Sequence, residues 1–191
     1  MARGHASCCA SGESTRGHNA ARDLLHEFAF HADPNAQKEP EHLIPSRPRD
    51  RPADVLTSAV SGCVTALDVG IASPAAAAAG NDAAESMRHR KIGEREPVRR
   101  ELEDAGIVYK PFVFTTYGRP DAGASEVIKA IVKRAARRKG WSPRALERKF
   151  RAYLGAVLAR RMARMSLSTW TRGRSDFEIA IPALFGDDGD S

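Results

Sequence analysis

Residues 51–73 read RPADVLTSAVSGCVTALDVGIAS, and this stretch decides the fold. From Asp54 to Ala59 and from Cys63 to Ala72 the residues are mostly small or β-branched, which favours extended strands. Ser61-Gly62 lies between the two segments and is a turn signal. The stretch therefore predicts a β-hairpin.

The second strand of this hairpin has two different faces. Leu67, Val69 and Ile71 alternate along the strand, so they share one face. Asp68 must point to the opposite face, which it shares with Gly70. The alternation predicts one apolar face toward a core and one face that displays an acid.

The length of the loop sets how the two strands pair. If residues 60–62 form a three-residue loop with the glycine in the left-handed conformation, Ala59 pairs with Cys63. Counting outward from that pair, Asp54 then lies directly opposite Asp68. A two-residue loop would offset the two acids instead.

Two carboxylates opposed across a hairpin need a counter-charge. Their Cβ atoms lie about 4.5–5.5 Å apart, and the ionised groups repel unless a proton or a cation lies between them. Mg²⁺ or Mn²⁺ meets this need, because these cations take hard oxygen ligands from one or two carboxylates and keep positions for water and phosphate. Asp54 and Asp68 are therefore candidate metal ligands. The alternative is a surface hairpin whose two acids cap a turn and face solvent.

The composition limits the class of protein. The 191 residues carry a formal charge of +6, and the excess of positive charge is local, which favours a polyanionic partner such as DNA. No apolar run is long enough to span a bilayer and the N-terminus lacks a signal-peptide core, so we expect an intracellular, nuclear protein without a membrane segment. Three cysteines, Cys8, Cys9 and Cys63, are too few for a disulfide framework and agree with a reducing compartment.

The segments around the hairpin predict helices and one further strand. Apolar spacing predicts a first helix at residues 18–32. Residues 33–51 contain four prolines, which predicts an irregular connection with a short extended piece at residues 42–44. A second helix is expected at about 82–94, followed by a restart at a proline, and β-branched and aromatic residues predict a strand at 107–116 that carries a proline bulge or has a free edge.

Two basic helices are predicted after that strand. Apolar stripes run from Ile128 to Ala135 and from Leu146 to Met165, the second of which includes Tyr153. The other faces of both helices are rich in lysine and arginine. A solvated face is the ordinary explanation of such a run, but its length and weak acidic balance favour phosphate contact. The candidate nucleic-acid-binding residues are Lys133, Arg134, Arg137, Arg138, Lys139, Arg148, Lys149, Arg160 and Arg161.

The order helix, hairpin, helix, strand, helix is that of a restriction-endonuclease-like core. From about residue 5 to residue 164 the chain resembles the C-terminal restriction-like endonuclease region of non-LTR retrotransposon (reverse transcriptase) proteins. The motifs that carry the resemblance are His18-Asn19 followed by Arg22-Asp23, Arg51-Pro52-Ala53-Asp54, Ala66-Leu67-Asp68-Val69 leading to Ser73-Pro74, the basic cluster that ends in Lys91, and Gly106 before a strand that carries Pro111 and ends at Gly118.

The resemblance implies a nuclease of the PD-(D/E)xK type, an α/β fold with a small mixed sheet flanked by helices. It implies that Asp54 and Asp68 hold the metal and that a lysine acts on the scissile phosphate or on the attacking water. In the common form that lysine lies two residues after the second acid, a position that Gly70 occupies here. The resemblance therefore points to Lys91 on the next helix. Arg88 stands one turn earlier, where a second lysine is expected, and would keep phosphate binding without a base role.

The chain also departs from the family pattern. Thr115 stands where the pattern has a glutamate, and Arg119-Pro120 replace a glycine-aromatic pair. At the N-terminus His5 and Cys9 resemble the last two ligands of the zinc knuckle that precedes this region. Its first two cysteines would lie before Met1, with the polymerase further upstream, so we expect a detached tail of an element protein.

The sequence thus predicts four segments. These are a disordered tail or zinc-knuckle remnant at 1–17, the restriction-endonuclease-like core at 18–120, a basic helical pair at 121–170 and a flexible acidic-ended tail at 171–191. The functional hypothesis is a Mg²⁺- or Mn²⁺-dependent hydrolase that nicks DNA strands. The alternative is a catalytically inactive nucleic-acid-binding remnant, and a third reading is a decayed open reading frame that folds poorly.

Overall fold

The protein has a mixed α/β fold in which a small sheet is flanked by helices. The computed structural model describes residues 11–76 and 81–172, and all structural statements below concern these residues. In chain order the elements are α1 (Ser11–Ala32), β1 (Gln37–Lys38), β2 (Val55–Thr57), β3 (Val64–Ala72), α2 (Ala83–Arg95), a 3₁₀ turn (Glu96–Val98), α3 (Arg99–Asp104), β4 (Ile107–Thr115), α4 (Ala122–Lys139) and α5 (Pro143–Arg172).

The sheet has four strands in the order β1-β2-β3-β4. β2 is antiparallel to both β1 and β3, and β4 runs parallel to β3. A parallel pair needs a crossover connection, and here α2, the 3₁₀ turn and α3 supply it. The predicted hairpin of β2 and β3 is confirmed, with Val55 opposite Leu67 and Thr57 opposite Thr65, which is the predicted register.

The loop of the hairpin is longer than predicted. The ladder ends at Thr57, so the expected pair of Ala59 with Cys63 does not form, although Gly62 has the predicted left-handed φ of 73°. The cause is the buried carboxylate of Asp33, which accepts hydrogen bonds from the Thr57 hydroxyl (3.0 Å) and the Ser58 amide (2.6 Å). These bonds draw the chain out of the ladder toward the end of α1 and leave the register of the strands unchanged.

The two faces of the sheet pack against different helices. Leu67 and Val69 lie in the main core with residues of α1, α4 and α5, so these three helices cover one face. On the other face Ala66 packs with residues of the 3₁₀ turn and α3, and Ala72 packs with residues of α2. The predicted alternation along β3 is therefore confirmed. α4 and α5 share one apolar core with α1 and the sheet.

The helical caps explain where α2 and α4 begin. Asp82 precedes α2 and accepts hydrogen bonds from the Ala84 and Glu85 amides, each about 3 Å long. Asp121 caps α4 in the same way, by accepting from the Ala124 amide at 2.9 Å. α2 ends at the 3₁₀ turn that contains Pro97, which agrees with the predicted restart.

The predicted strand at 107–116 is β4, and it lies beside the hairpin. Its register with β3 runs without a bulge and places Pro111 opposite Asp68. In the described ranges the other edge of β4 makes only an isolated bridge, between Phe114 and Pro120, so the free-edge form of the prediction is confirmed.

Three local predictions are wrong. α1 begins at Ser11 rather than at residue 18, so part of the segment expected to be disordered is helical. Residues 42–44 are bent rather than extended, because His42 has a positive φ of 62° and Ile44 turns into the core beneath α3. Tyr153 is exposed and lies beneath the Lys149 ammonium, 5.6 Å from the ring centre, so it is not part of the apolar seam of α5.

Several expected features fall outside the described residues. They are the N-terminal His5, Cys8 and Cys9, the end of the alanine run that begins at Ala75, and the acidic C-terminal tail. Over the ranges 11–76 and 81–172, none of the helices is both long enough and apolar enough to cross a membrane.

Candidate active site

Asp54 lies where β2 separates from β3. Its backbone amide donates to the Leu67 carbonyl at 2.9 Å, and its side-chain Oδ2 accepts from the Val69 amide at 2.7 Å. The carboxylate thus takes the place of a missing strand partner beside Asp68. Its other oxygen, Oδ1, lies 2.9 Å from Nε2 of His18, which reaches the site from α1. The side chain of Asp54 is only 13% exposed.

The electrostatic surroundings keep Asp54 ionised. Burial alone would raise its pKa, since it removes water from the charged form. The hydrogen bond and charge of His18, the amide of Val69 and the positive charge of Lys91 outweigh burial, so the pKa of Asp54 lies below its ordinary value of 3.8. The carboxylate is available as an anion at neutral pH.

Asp68 is held by two side chains from the crossover and from β4. Lys91 Nζ, on α2, lies 2.6 Å from Asp68 Oδ1, and the two side chains are 15% and 14% exposed. The Tyr109 hydroxyl donates to the other oxygen, Oδ2, at 2.6 Å. Asp68 and Lys91 therefore lie together on the face of the sheet covered by α2 and α3. Asp54 is their neighbour through the amide of Val69, the residue after Asp68, but its partner His18 comes from α1, which covers the other face.

The missing side chain of Gly70 explains how Lys91 reaches this place. Gly70 has no left-handed backbone, so it is not needed for its conformation. A Cβ atom at Gly70 would lie 2.9 Å from Lys91 Cε and 2.8 Å from Met87 Sδ, which is closer than real Cβ contacts. The aliphatic part of Lys91 thus crosses β3 over Gly70 and delivers its ammonium to Asp68. This is the space that a lysine two residues after the acid would otherwise occupy.

Tyr109 extends the cluster toward the irregular connection. Burial, then the charge of Asp68 and the hydrogen bond to it, raise the pKa of Tyr109 far above its ordinary value, although Arg95 opposes this effect. Tyr109 is therefore a permanent donor to Asp68. Arg95, the last residue of α2, also pairs with Asp50 at 3.3 Å. A cavity of about 260 Å³ opens next to Arg95 and Tyr109.

Comparisons with protein-family models, with curated proteins and with solved structures all return no match. The function must therefore be argued from the geometry of this cluster and from the distribution of charge.

Two residues that the sequence singled out lie away from the acids. Arg88 pairs with Glu85 at 2.7 Å, its Nε lies close to Gly123 at the start of α4, and in the described residues it makes no ion pair with Asp54 or Asp68. Lys91 is three residues further along α2 and faces β3 instead. Thr115, which replaces the expected glutamate, closes the turn after β4, because its hydroxyl accepts from the Arg119 amide at 3.1 Å.

Sequence reasoning missed three members of the cluster. His18 belongs to one of the motifs of the resemblance, but the motif does not indicate its contact with Asp54. Tyr109 could have been found from the register of the parallel strands, since it lies on β4 two residues before Pro111, which pairs with Asp68. Nothing in the sequence distinguishes Arg95 from the other basic residues of α2.

The predicted nucleic-acid-binding residues lie on the opposite side of the sheet from Asp68. All of them except Arg161 are exposed on α4 and α5. Arg161 packs its aliphatic part against Gly17 of α1, and burial lowers its pKa. Arg134 and Arg138 donate to backbone carbonyls, at Ser58 (2.6 Å) and His31 (3.2 Å).

The donor set suits a hard divalent cation. Asp54 and Asp68 each supply a carboxylate, and carboxylate oxygens retain lone pairs for a second partner. Within the described ranges no group of three or more histidine, cysteine, aspartate or glutamate side chains is arranged to hold a metal ion. The two acids with water and a phosphate oxygen would complete the coordination that Mg²⁺ prefers.

Proposed function

We propose that this protein is a metal-dependent endonuclease that nicks DNA, built on a restriction-endonuclease-like core. The observation that carries the proposal is the ion pair of Lys91 with Asp68, formed across Gly70, next to the Asp54 carboxylate that accepts from the Val69 amide. The resemblance implies an antiparallel hairpin that carries two acids, with a lysine beside them on the next helix, and this is the arrangement of Asp54, Asp68 and Lys91. The order of helix, hairpin, crossover helix and parallel strand also supports it.

Each residue has a defined task in this proposal. Asp54 and Asp68 are the ligands of Mg²⁺ or Mn²⁺. The bound ion supplies Lewis-acid stabilisation of the phosphate and an activated water. The Lys91 ammonium turns from Asp68 to an oxygen of the scissile phosphate and stabilises the charge that develops there. Tyr109 keeps the Asp68 carboxylate in a fixed orientation while Lys91 makes this change.

His18 has a supporting role next to Asp54. Its Nε2 hydrogen bond to Oδ1 leaves Oδ2 fixed by the Val69 amide, so the carboxylate cannot rotate. A fixed ligand loses less entropy when substrate binds than a mobile one does. The proposal therefore assigns orientation, rather than proton transfer, to His18.

One observation favours the alternative of a non-catalytic nucleic-acid-binding protein. All four carboxylate oxygens of the two acids already have partners in the chain, namely His18, the Val69 amide, Lys91 and Tyr109. A site in which every acceptor is used is stable without any added ion. The basic helices would then bind nucleic acid, and the cluster would serve only the fold.

A plasmid-nicking assay separates the two functions. We expect the parent protein to convert supercoiled DNA to open circles with Mg²⁺ or Mn²⁺ and to stop when a chelator is added. Asp68→Asn keeps the size of the side chain and removes its charge, so it should slow nicking by about a hundredfold or more, because several kcal/mol of transition-state stabilisation are lost. Asp104→Asn is the matched control, since this acid is exposed on α3.

The comparison must be made at equal occupancy of DNA. Binding of the Asp68→Asn protein should equal that of the parent or be slightly tighter, because one negative charge near phosphate is removed. If the parent binds DNA but does not nick it with any divalent metal, the non-catalytic function replaces the nuclease. If the Asp68→Asn and Asp104→Asn proteins nick DNA at equal rates, the chemistry takes place at another site.

A further inference from the structure

A cleft lies between the hairpin loop and α4, at the end of the sheet away from the two acids. Its volume is about 630 Å³. The loop contributes Ala59 and Gly62 to one wall, and a Cβ at Gly62 would have no neighbour within 4 Å, so the loop is open to solvent there. The other wall is α4, which contributes Ala130, Lys133, Arg134, Arg137 and Arg138.

The cleft is lined by cationic side chains that no acid of the described residues neutralises. In the described part of the chain, none of its four cationic side chains forms an ion pair with an aspartate or glutamate. Arg134 is fixed by its bond to the Ser58 carbonyl and Arg138 by its bond to the His31 carbonyl. Each guanidinium has five N–H groups, so both keep donors for a ligand. A concave site with four uncompensated cations attracts a polyanion.

The distance from this cleft to the acids can be judged from β3. Gly62 and Asp68 are six positions apart, and a strand advances about 3.3 Å per residue, so the separation is about 15–20 Å when the turn is allowed for. The cleft lies on the face of the sheet covered by α4, whereas Asp68 and Lys91 lie on the face covered by α2 and α3. A phosphate bound in the cleft is therefore a different phosphate from the one at the acids.

We propose that this cleft binds the sugar–phosphate backbone of duplex DNA at a point separate from the phosphate that is cleaved. This inference rests on the proposed function, because it gives the same substrate a second point of attachment. The acids of the active site repel phosphate until cations neutralise them, so a separate basic site is needed to hold the duplex in place. Arg134 and Arg138 are already held by backbone carbonyls, so they lose little side-chain entropy when they bind phosphate.

Binding without divalent metal tests the cleft independently of cleavage. In the double variant Lys133→Ala/Arg137→Ala two exposed cations of the cleft are removed, whereas Arg100→Ala/Arg144→Ala removes the same charge from exposed positions outside it. Fluorescence anisotropy with a 24-base-pair duplex is recorded over a series of salt concentrations. Two phosphate contacts contribute a slope of about 1.8 in log K against log salt, or about 60-fold in affinity at 0.1 M salt.

We expect the cleft variant to lose this slope and affinity, and the control variant to lose less than about fivefold. Equal losses in the two variants would show a diffuse charge effect and overturn the cleft. A measurement on the parent needs no substitution: DNA should protect Lys133 from acetylation more than it protects Lys110 on β4. Failure of this protection also overturns the cleft. If the protein nicks DNA but shows neither effect, the proposed function stands and the cleft proposal fails. If DNA protects Lys133 but the protein does not nick DNA, the cleft proposal stands and the proposed nuclease function fails.

Discussion

Replacement of Lys91 by alanine is the sharpest test of the chemistry, because geometry sets this lysine apart from the other cations of α2. Its Nζ lies 2.6 Å from Asp68 and its side chain is only 15% exposed. Loss of one hydrogen-bond donor to a developing oxyanion costs about 2.7–4 kcal/mol. At about 1.4 kcal/mol per tenfold in rate, Lys91→Ala should slow nicking by about 100- to 1000-fold.

The other basic residues of the helix supply comparison variants. Arg90 is exposed and pairs with Glu94, so Arg90→Ala is a control that removes one charge from the same helix. Arg88→Ala tests the placement of Arg88 beside Glu85, and we expect the nicking rate to decrease by less than about threefold. The assay is single-turnover nicking of supercoiled plasmid at saturating protein and metal, with a thermal melt of each variant to show that it is folded.

The position of the ammonium, rather than the residue that carries it, should decide the rate. Gly70→Lys alone overfills the site, because its Cβ would lie 2.9 Å from Lys91 Cε. In Gly70→Lys/Lys91→Ala that contact is gone, although Met87 must still move, and a lysine again reaches Asp68. We expect this double variant to be faster than Lys91→Ala. If Lys91→Ala nicks at the parent rate while it binds DNA and stays folded, the ammonium takes no part in the reaction.

Three further outcomes are expected. Tyr109→Phe removes a hydrogen bond to an ionised group and should lower the free energy of unfolding by about 1.5–3 kcal/mol in urea, whereas an unchanged midpoint would contradict the bond to Asp68. Arg119 and the first amides of α2 lower the pKa of Asp82 to about 2, so the stability gained from its charge is complete above about pH 4 and lost as the pH falls toward 2. Thermal melts of the parent and of Asp82→Asn should therefore converge over that interval, and a constant difference would refute the assignment. DNA affinity should fall by about 0.9 in log K per phosphate contact per log unit of salt, and a flat titration would exclude backbone contacts.

The sequence predicts the hairpin and its register well because each rests on local patterns. The alternation of Leu67 and Val69 sets the faces of β3, and Gly62 is the residue that takes a left-handed φ in the turn. The length of the loop was not predictable from these patterns. It depends on Asp33, which is distant in sequence from Thr57 and bonds to it only in the folded chain.

The membership of the site was predictable only in part. Lys91 pairs with Asp68, and Asp54 accepts from the amide of Val69, the residue after Asp68. That these residues form a metal site stays a prediction. Consecutive basic residues on a helix point in different directions, so the sequence could not show that Arg88 turns to Glu85 while Lys91 crosses the strand.

Segments without a repeating pattern gave the poorest predictions. The connection between α1 and β2 contains positive φ angles at Glu39 and His42, and the prolines of this segment predict an irregular path without specifying these two angles. Glu39 pairs with Arg22 of α1 and with Arg51, and these long-range ion pairs set the path of the chain. The early start of α1 was missed for a related reason, since residues 11–17 have no apolar stripe and the helix there packs Gly17 against Arg161.

Under the proposed function, Lys91 and a divalent cation compete for the same carboxylate, Asp68. The lysine is the internal counter-ion of the acid, so a divalent cation that binds Asp68 competes with an ammonium group tethered to α2. Removal of Lys91 should therefore strengthen metal binding while it weakens cleavage, and the two effects would separate affinity from turnover in one variant. The tether also links the site to the packing of α2 on β3, because an α2 that moves away from β3 removes the partner of Asp68 Oδ1 and leaves this oxygen free for a cation.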